Sequence, residues 1–258
     1  RMIFRLFFSN FMILKKMKNL FILLLFSNVG FCQSERKGNY NSTENTFSIA
    51  DQIYKASHFY NGHSVIDNSS FYGLIDSTGT VVIPVIYENL GFLKDGLLVA
   101  TKDTKCGYVD AKGRIIIPFI YDLADDFKNG VATVQKNGKC GIIDKNGNQV
   151  TALLYNHIDK FDNDQSGLAR VSRDKKWGFI NKSGKEIIPC MYQNANFFSD
   201  GLALLTKING TTGYLDKTGK VIIPFDEFTQ ADNFRNGKAR VQKGNTTYFI
   251  DKKGETIK

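Results

Sequence analysis

The chain has 258 residues, a formal net charge of +9 and 42% hydrophobic residues. Its four cysteines form no Cys-x-x-Cys pair, so a thiolate zinc site or a redox dithiol has no support. His58, His63 and His157 are the only histidines, and none stands in a metal-spacing motif or beside a nucleophile.

Residues 1–32 are unlike the rest. Arg1, Arg5, Lys15, Lys16 and Lys18 are their only charges, and Leu20–Phe26 is an apolar run. Gly30 and Cys32 supply small residues before Gln33. A basic start, a short apolar core and small residues ahead of a cut form a secretory signal peptide. The core is short of the ~20 residues that cross a bilayer, so the mature chain is expected to have no transmembrane span. Met17 is a natural start, which makes 1–16 a spurious upstream extension. Lipid attachment at Cys32 and an uncleaved anchor are the alternatives; Phe31 stands where a lipoprotein signal takes a small residue. The expected location is periplasmic or extracellular.

Removing the leader leaves 29 basic and 25 acidic residues, a balance of +4. Lys112, Lys145, Lys182, Lys217 and Lys252 fall near turn tips and read as a solvated rim, not a nucleic-acid surface. Residues 33–50 are polar and read as a flexible linker.

From 51 to 258 the chain repeats. Gly73, Gly107, Gly141, Gly178 and Gly213, then Tyr248 in the glycine place, follow one another at steps of 34, 34, 37, 35 and 35 residues. A fixed period in this range marks a repeat architecture. Each unit opens with Asn-Gly or Asp-Gly, as at Asn61-Gly62, Asp95-Gly96, Asn129-Gly130, Asp200-Gly201 and Asn236-Gly237. These pairs suit the positive φ of tight hairpins. Asn137-Gly138, Asn209-Gly210 and Gly244-Asn245 supply a second turn.

A third turn is Asp-x-x-Gly, led by Asp76, Asp110, Asp144, Asp216 and Asp251, with Asn181 in the same place. These aspartates read as turn formers. One carboxylate per unit falls short of the six to eight oxygens that calcium takes.

Between turns the period is two: Ala132/Val134, Ala169/Val171, Ala203/Leu205 and Ala239/Val241 form one steady apolar row. Ile115-Ile116-Ile117 and Val221-Ile222-Ile223 lack alternation and read as strands covered on both faces. Pro84, Pro118, Pro189 and Pro224 stop those runs, because proline cannot donate to a ladder. Cys106 and Cys140 share a repeat position, as buried small hydrophobes or as a bridge.

Lys176-Trp177-Gly178-Phe179-Ile180, within the frame G-x-I-D-x-x-G-x-x-I-I-P-x-x-Y, resembles the bacterial WG (KWG) repeat family. The resemblance implies an all-β repeat protein whose members mostly lack an assigned activity.

The expected fold is therefore all-β, an array of about six ~35-residue meander units. An open solenoid or superhelix is preferred, with a β-propeller as the alternative. The expected function is an exported, non-enzymatic binding or scaffold module for a protein partner or envelope polymer, without cofactor, metal or catalytic residues. The alternative is a cell-wall or carbohydrate-binding repeat protein.

The residues alternating with the steady row, Leu168/Arg170, Leu202/Leu204 and Lys238/Arg240, form either an interaction surface or a face packed on a second layer. Trp177 is either an exposed platform or variable packing. The candidate surface is Leu168, Arg170, Leu202, Leu204, Arg240 and Trp177.

Overall fold

A computed structural model describes residues 37–161 and 166–257. The expected leader, Gln33–Arg36 and the Asp162-Asn163-Asp164 cluster lie outside them. Every regular element among the described residues is a strand, in six antiparallel sheets. The chain forms two compact units that divide between Phe119 and Ile120.

The turn chemistry generates the hairpins. Asn61, Asp95, Asn129, Asp200 and Asn236 have φ of 50–54°, and the glycines after them 74–88°. Two successive positive φ values give the primed turn that matches strand twist. Asp103-Thr104 and Asp174-Lys175 make the same turn without glycine, at φ 51–65°. Each is held from outside: Thr104 N–H donates to Glu88 and Asp174 N–H to Asn156.

The Asp-x-x-Gly turns are built alike in every repeat. One carboxylate oxygen accepts from the N–H groups two and four residues on, for example Thr78 and Thr80 at Asp76, or Lys253 and Glu255 at Asp251. Asn181 does the same with its amide oxygen.

In the first unit, sheet one runs Asn39–Asn41, Thr46–Ile49, Gln52–Ala56, His63–Asp67, Tyr72–Asp76, Val81–Tyr87. The described part of the expected linker is thus two strands. It is ordered because Phe47, fully buried, packs with Ile66, Ile75 and Val85, giving this polar stretch an apolar anchor. Gly38 N–H donates to Gly79 O at 2.8 Å, so the stretch lies against the first Asp-x-x-Gly turn. Sheet two runs Asn89–Leu90, Leu97–Lys102, Lys105–Asp110, Ile115–Tyr121. Leu74, Ile83 and Tyr87 of sheet one pack on Leu90, Leu98, Ala100 and Val109 of sheet two.

In the second unit, sheet three has Leu123–Ala124, Val131–Lys136 and Lys139–Asp144. Sheet four has His157–Ile158, Ala169–Arg173, Lys176–Ile180 and Glu186–Tyr192. Sheet five has Asn194–Ala195, Leu202–Thr206, Thr212–Asp216 and Val221–Phe228; sheet six has Gln230–Ala231, Lys238–Lys243, Thr246–Asp251 and Thr256–Ile257. Single residues, Gln193 and Thr229, join a fourth strand to the next sheet's first, so no crossover connection intervenes.

Each sheet of this unit shares a core with the next. Cys140 and Ile142 meet Ile158, Ala169 and Val171; Phe179 and Ile188 meet Ala203 and Leu205; Leu204 and Tyr214 meet Ala239 and Val241. The steady Ala/Val row is the face turned to the preceding sheet.

The mid-strand glycine has a steric cause. Trp177 pairs with Tyr192 while Phe179 pairs with Ile188, so Pro189–Met191 bulge opposite Gly178 alone. A Cβ there would lie 2.4 Å from Ile188 O, and at Gly73 2.6 Å from Ile83 O. Backbone passing this close leaves room only for hydrogen. In sheet six Tyr248 holds the glycine place, and the pairs beside it are Phe249 with Ile257 and Ile250 with Thr256.

Sheet three lacks a fourth strand. Its repeat has Thr151-Ala152 where others have Ile-Pro, and the Thr151 hydroxyl accepts from Ile142 N–H at 2.9 Å. The side chain takes the place of one ladder bond, while Cys140 and Tyr155 still exchange both of theirs and Ile143 bridges to Gln149.

Candidate functional site

In sheets four and five the leucines of the alternate row do not form a surface, whereas Lys238 and Arg240 of sheet six are exposed. Leu168, Leu202 and Leu204 are each 7–8% exposed. Leu168 packs in the core between sheets four and five, Leu202 and Leu204 in the core between sheets five and six. The expected interaction surface is therefore corrected to the second-layer arrangement. In sheets four and five both strand faces carry apolar residues because each faces a neighbouring sheet.

Trp177 is half-buried against the sheet four–five core. The Arg170 guanidinium lies 4.5 Å from its ring centroid and 4.2 Å from that of Phe197. Arg170 Nε donates to Asp159 at 2.8 Å and Nη1 to Ala195 O at 2.9 Å. His157 Nε2 lies 3.1 Å from the other Asp159 oxygen. Arg170 thus ties sheet four to the start of sheet five. Arg240 repeats the pair with Asp232 at 2.9 Å, but its side chain is 61% exposed.

A second polar cluster joins Tyr155, Arg173 on the second strand of sheet four and Glu186 on its fourth. Glu186 accepts from Arg173 at 2.9 Å and from the Tyr155 hydroxyl at 3.1 Å. Burial, then the Glu186 charge, raises the Tyr155 hydroxyl. Burial and then the same charge push the Cys190 thiol up to about 11, so it is protonated at neutral pH. Cys106, Cys140 and Cys190 are free thiols, so Cys106 and Cys140 are not bridged.

Asp76, Asp110, Asp144 and Asp216 titrate low through their turns. At Asp144 the Asn148 amide is the largest influence, and at Asp216 the Thr218 hydroxyl. At Asp76 and Asp110 partial burial pulls upward, and the hydrogen bonds from the turn together outweigh it. One oxygen of each is occupied by backbone N–H groups, and no group of three His, Cys, Asp or Glu among the described residues is placed to hold a metal ion.

Several of the exposed apolar residues share another place. Ile115, Ile116, Ile120, Met191 and Val221 are all on fourth strands, which are edge strands. Only Ile117 and Ile223 of the two aliphatic runs are buried in the core, so these strands are not covered on both faces. The sequence held a sign of this: a proline three residues into each run belongs at an edge. Pro118, Pro189 and Pro224 are themselves exposed.

These features define an all-β repeat protein in which stacked sheets consume the strand faces and leave edges and turns to solvent. The chain belongs to the WG containing repeat family, whose profile matches residues 72–106, 107–140, 141–177, 177–210 and 213–246. No curated protein matches it. Among solved structures, it is similar to BamB from Moraxella catarrhalis at 10% identity, over 82% of this chain and 75% of that one, with a TM-score of 0.37. It is similar to the WD40 beta propeller domain of Doa1 at 14% identity, over 83% and 84%, with a TM-score of 0.32. Likenesses this distant carry no functional argument. No helix among the described residues is long and apolar enough to cross a membrane.

Proposed function

We propose that the protein is an exported, non-enzymatic binding scaffold that offers its fourth-strand edges to a protein partner. The observation that carries this is the recurrence of exposed apolar side chains on those edges. In the second unit Ile120 and Met191, at the same repeat position, are 41% and 53% exposed. Leu123, just past the first of these edges, is 62% exposed. Exposed apolar residues gathered along one structural feature mark interaction sites. Prolines on the same strands block pairing with a further strand, so side chains rather than a ladder would make the contact.

Ile120→Asp with Met191→Asp tests the reading. The double variant should keep its β-sheet circular dichroism and melting midpoint, and lose the partner cross-linked from envelope extract and identified by mass spectrometry. A folded variant that cross-links the same partner would remove the edges from consideration.

Export rests on the basic, apolar and small-residue order of Lys15–Cys32. Intact mass after expression in a Gram-negative host should show a chain beginning at Gln33. A mature species that retains Leu20–Phe26 would exclude cleavage.

A further inference from the structure

In the first unit, two hairpin turns bring Tyr60, Phe92 and Lys94 together. The Tyr60 and Phe92 ring centroids are 6.4 Å apart at 67°. Lys94 Nζ lies 4.3 Å from the Tyr60 centroid and donates to its hydroxyl at 3.2 Å. Tyr60 is 44% and Phe92 48% exposed. At the position of Phe92, sheet five has Phe197, half-buried on Arg170. Phe92 therefore leaves in solvent a ring that its counterpart uses to join sheets.

We infer that Tyr60, Phe92 and Lys94 form a binding site for a carboxylated saccharide, with the sugar's C–H face on Phe92 and its carboxylate at Lys94. This site is separate from the fourth-strand edges and does not depend on their role.

Size decides against a protein interface. An aromatic side chain presents ~150–250 Å², so the two rings together expose roughly 140–230 Å². A stable protein interface takes about 800 Å² per partner. The backbone decides against an extended peptide. Tyr60 and His63 exchange both N–H···O bonds, as do Lys94 and Leu97, which leaves no strand edge at these turns. A ligand here is read by side chains alone. Lys94 already covers the Tyr60 ring, which disfavours a cationic ligand and favours an anionic one. Approach is open, since a Cβ added at Gly62 or Gly96 would meet nothing within 4 Å.

The test is titration of the full chain with oligogalacturonate and, separately, with a neutral cello-oligosaccharide, followed by NMR and calorimetry. Oligogalacturonate should shift the Tyr60, Phe92 and Lys94 signals at millimolar concentration, more strongly than the neutral sugar, and added salt should weaken it. Phe92→Ser should lower the affinity about tenfold with an unchanged melting midpoint, since the ring is half exposed. Lys94→Gln should remove the preference for the acidic sugar.

The inference is overturned if neither sugar shifts these residues, or if binding is indifferent to both substitutions. It is equally overturned if an acidic peptide binds here and the oligogalacturonate does not.

Discussion

Sheets four and six are built on the same frame and end in opposite environments. Each has the hairpin turn, the Ala/Val row toward the preceding sheet, and an Arg–Asp pair on the other face. Sheet four turns that other face to sheet five. Leu168 is buried there, and Arg170 reaches Ala195 and Phe197. In sheet six the corresponding residues, Lys238 and Arg240, are exposed and Phe249 is 45% exposed. The local fold is thus independent of what covers it, and the covering sheet sets what each residue contributes.

The largest expected break of this contrast is a charge in the covered layer. Leu168→Asp with Leu202→Asp places two uncompensated carboxylates in cores and should cost about 4 kcal/mol or more. Lys238→Asp with Arg240→Asp, at matching positions of sheet six, should cost no more than about 1 kcal/mol. Urea melts of both pairs decide it, and equal losses would mean that sheet six is covered as well.

Next is the glycine. Gly178→Val drives a side chain into the Ile188 carbonyl and should cost about 1–3 kcal/mol. Tyr248→Gly adds no side chain and should cost less, by loss of packing only. Gly141→Val should fall between them, because the nearest atom to an added Cβ is the movable Leu153 Cδ2 at 2.9 Å. A different order of melting midpoints would locate the steric cause elsewhere.

Arg170→Ala removes the tie between sheets four and five and leaves the half-buried Asp159 with His157 as its remaining side-chain partner. A loss of about 2 kcal/mol is expected. Arg240→Ala removes an exposed pair and should shift stability by no more than about 0.5 kcal/mol.

The smallest effect separates the turns by acid. The carboxyls of Asp76, Asp110, Asp144 and Asp216 titrate below the ordinary value of 3.8 in the folded chain. Their contribution is complete above that value and is lost as pH falls through the lower folded values. Asn181 makes the same bonds in sheet four without a titrating group. Asp216→Asn should therefore be slightly less stable than the parent at neutral pH and lose less stability as pH drops below the ordinary carboxyl value. Identical pH profiles would show that the turn does not depend on that charge.

Much of this was legible in the sequence because it is local. Asn-Gly and Asp-Gly pairs set positive φ within two residues, and Asp-x-x-Gly closes its own turn. The 34–37-residue spacing identified the repeat, and the mid-strand glycine announced a close approach. Three things needed the tertiary structure, because each depends on what packs against a face rather than on the residues of the strand. Leu168, Leu202 and Leu204 look like a surface stripe or a buried layer by pattern alone; the following sheet buries them. The stretch before residue 50 is polar in composition, yet Phe47 finds a core at Ile66 and Ile75. The aliphatic run before each proline suggests full burial, but its strand lies at a sheet edge, so Ile117 is covered while Ile115 and Ile116 meet solvent.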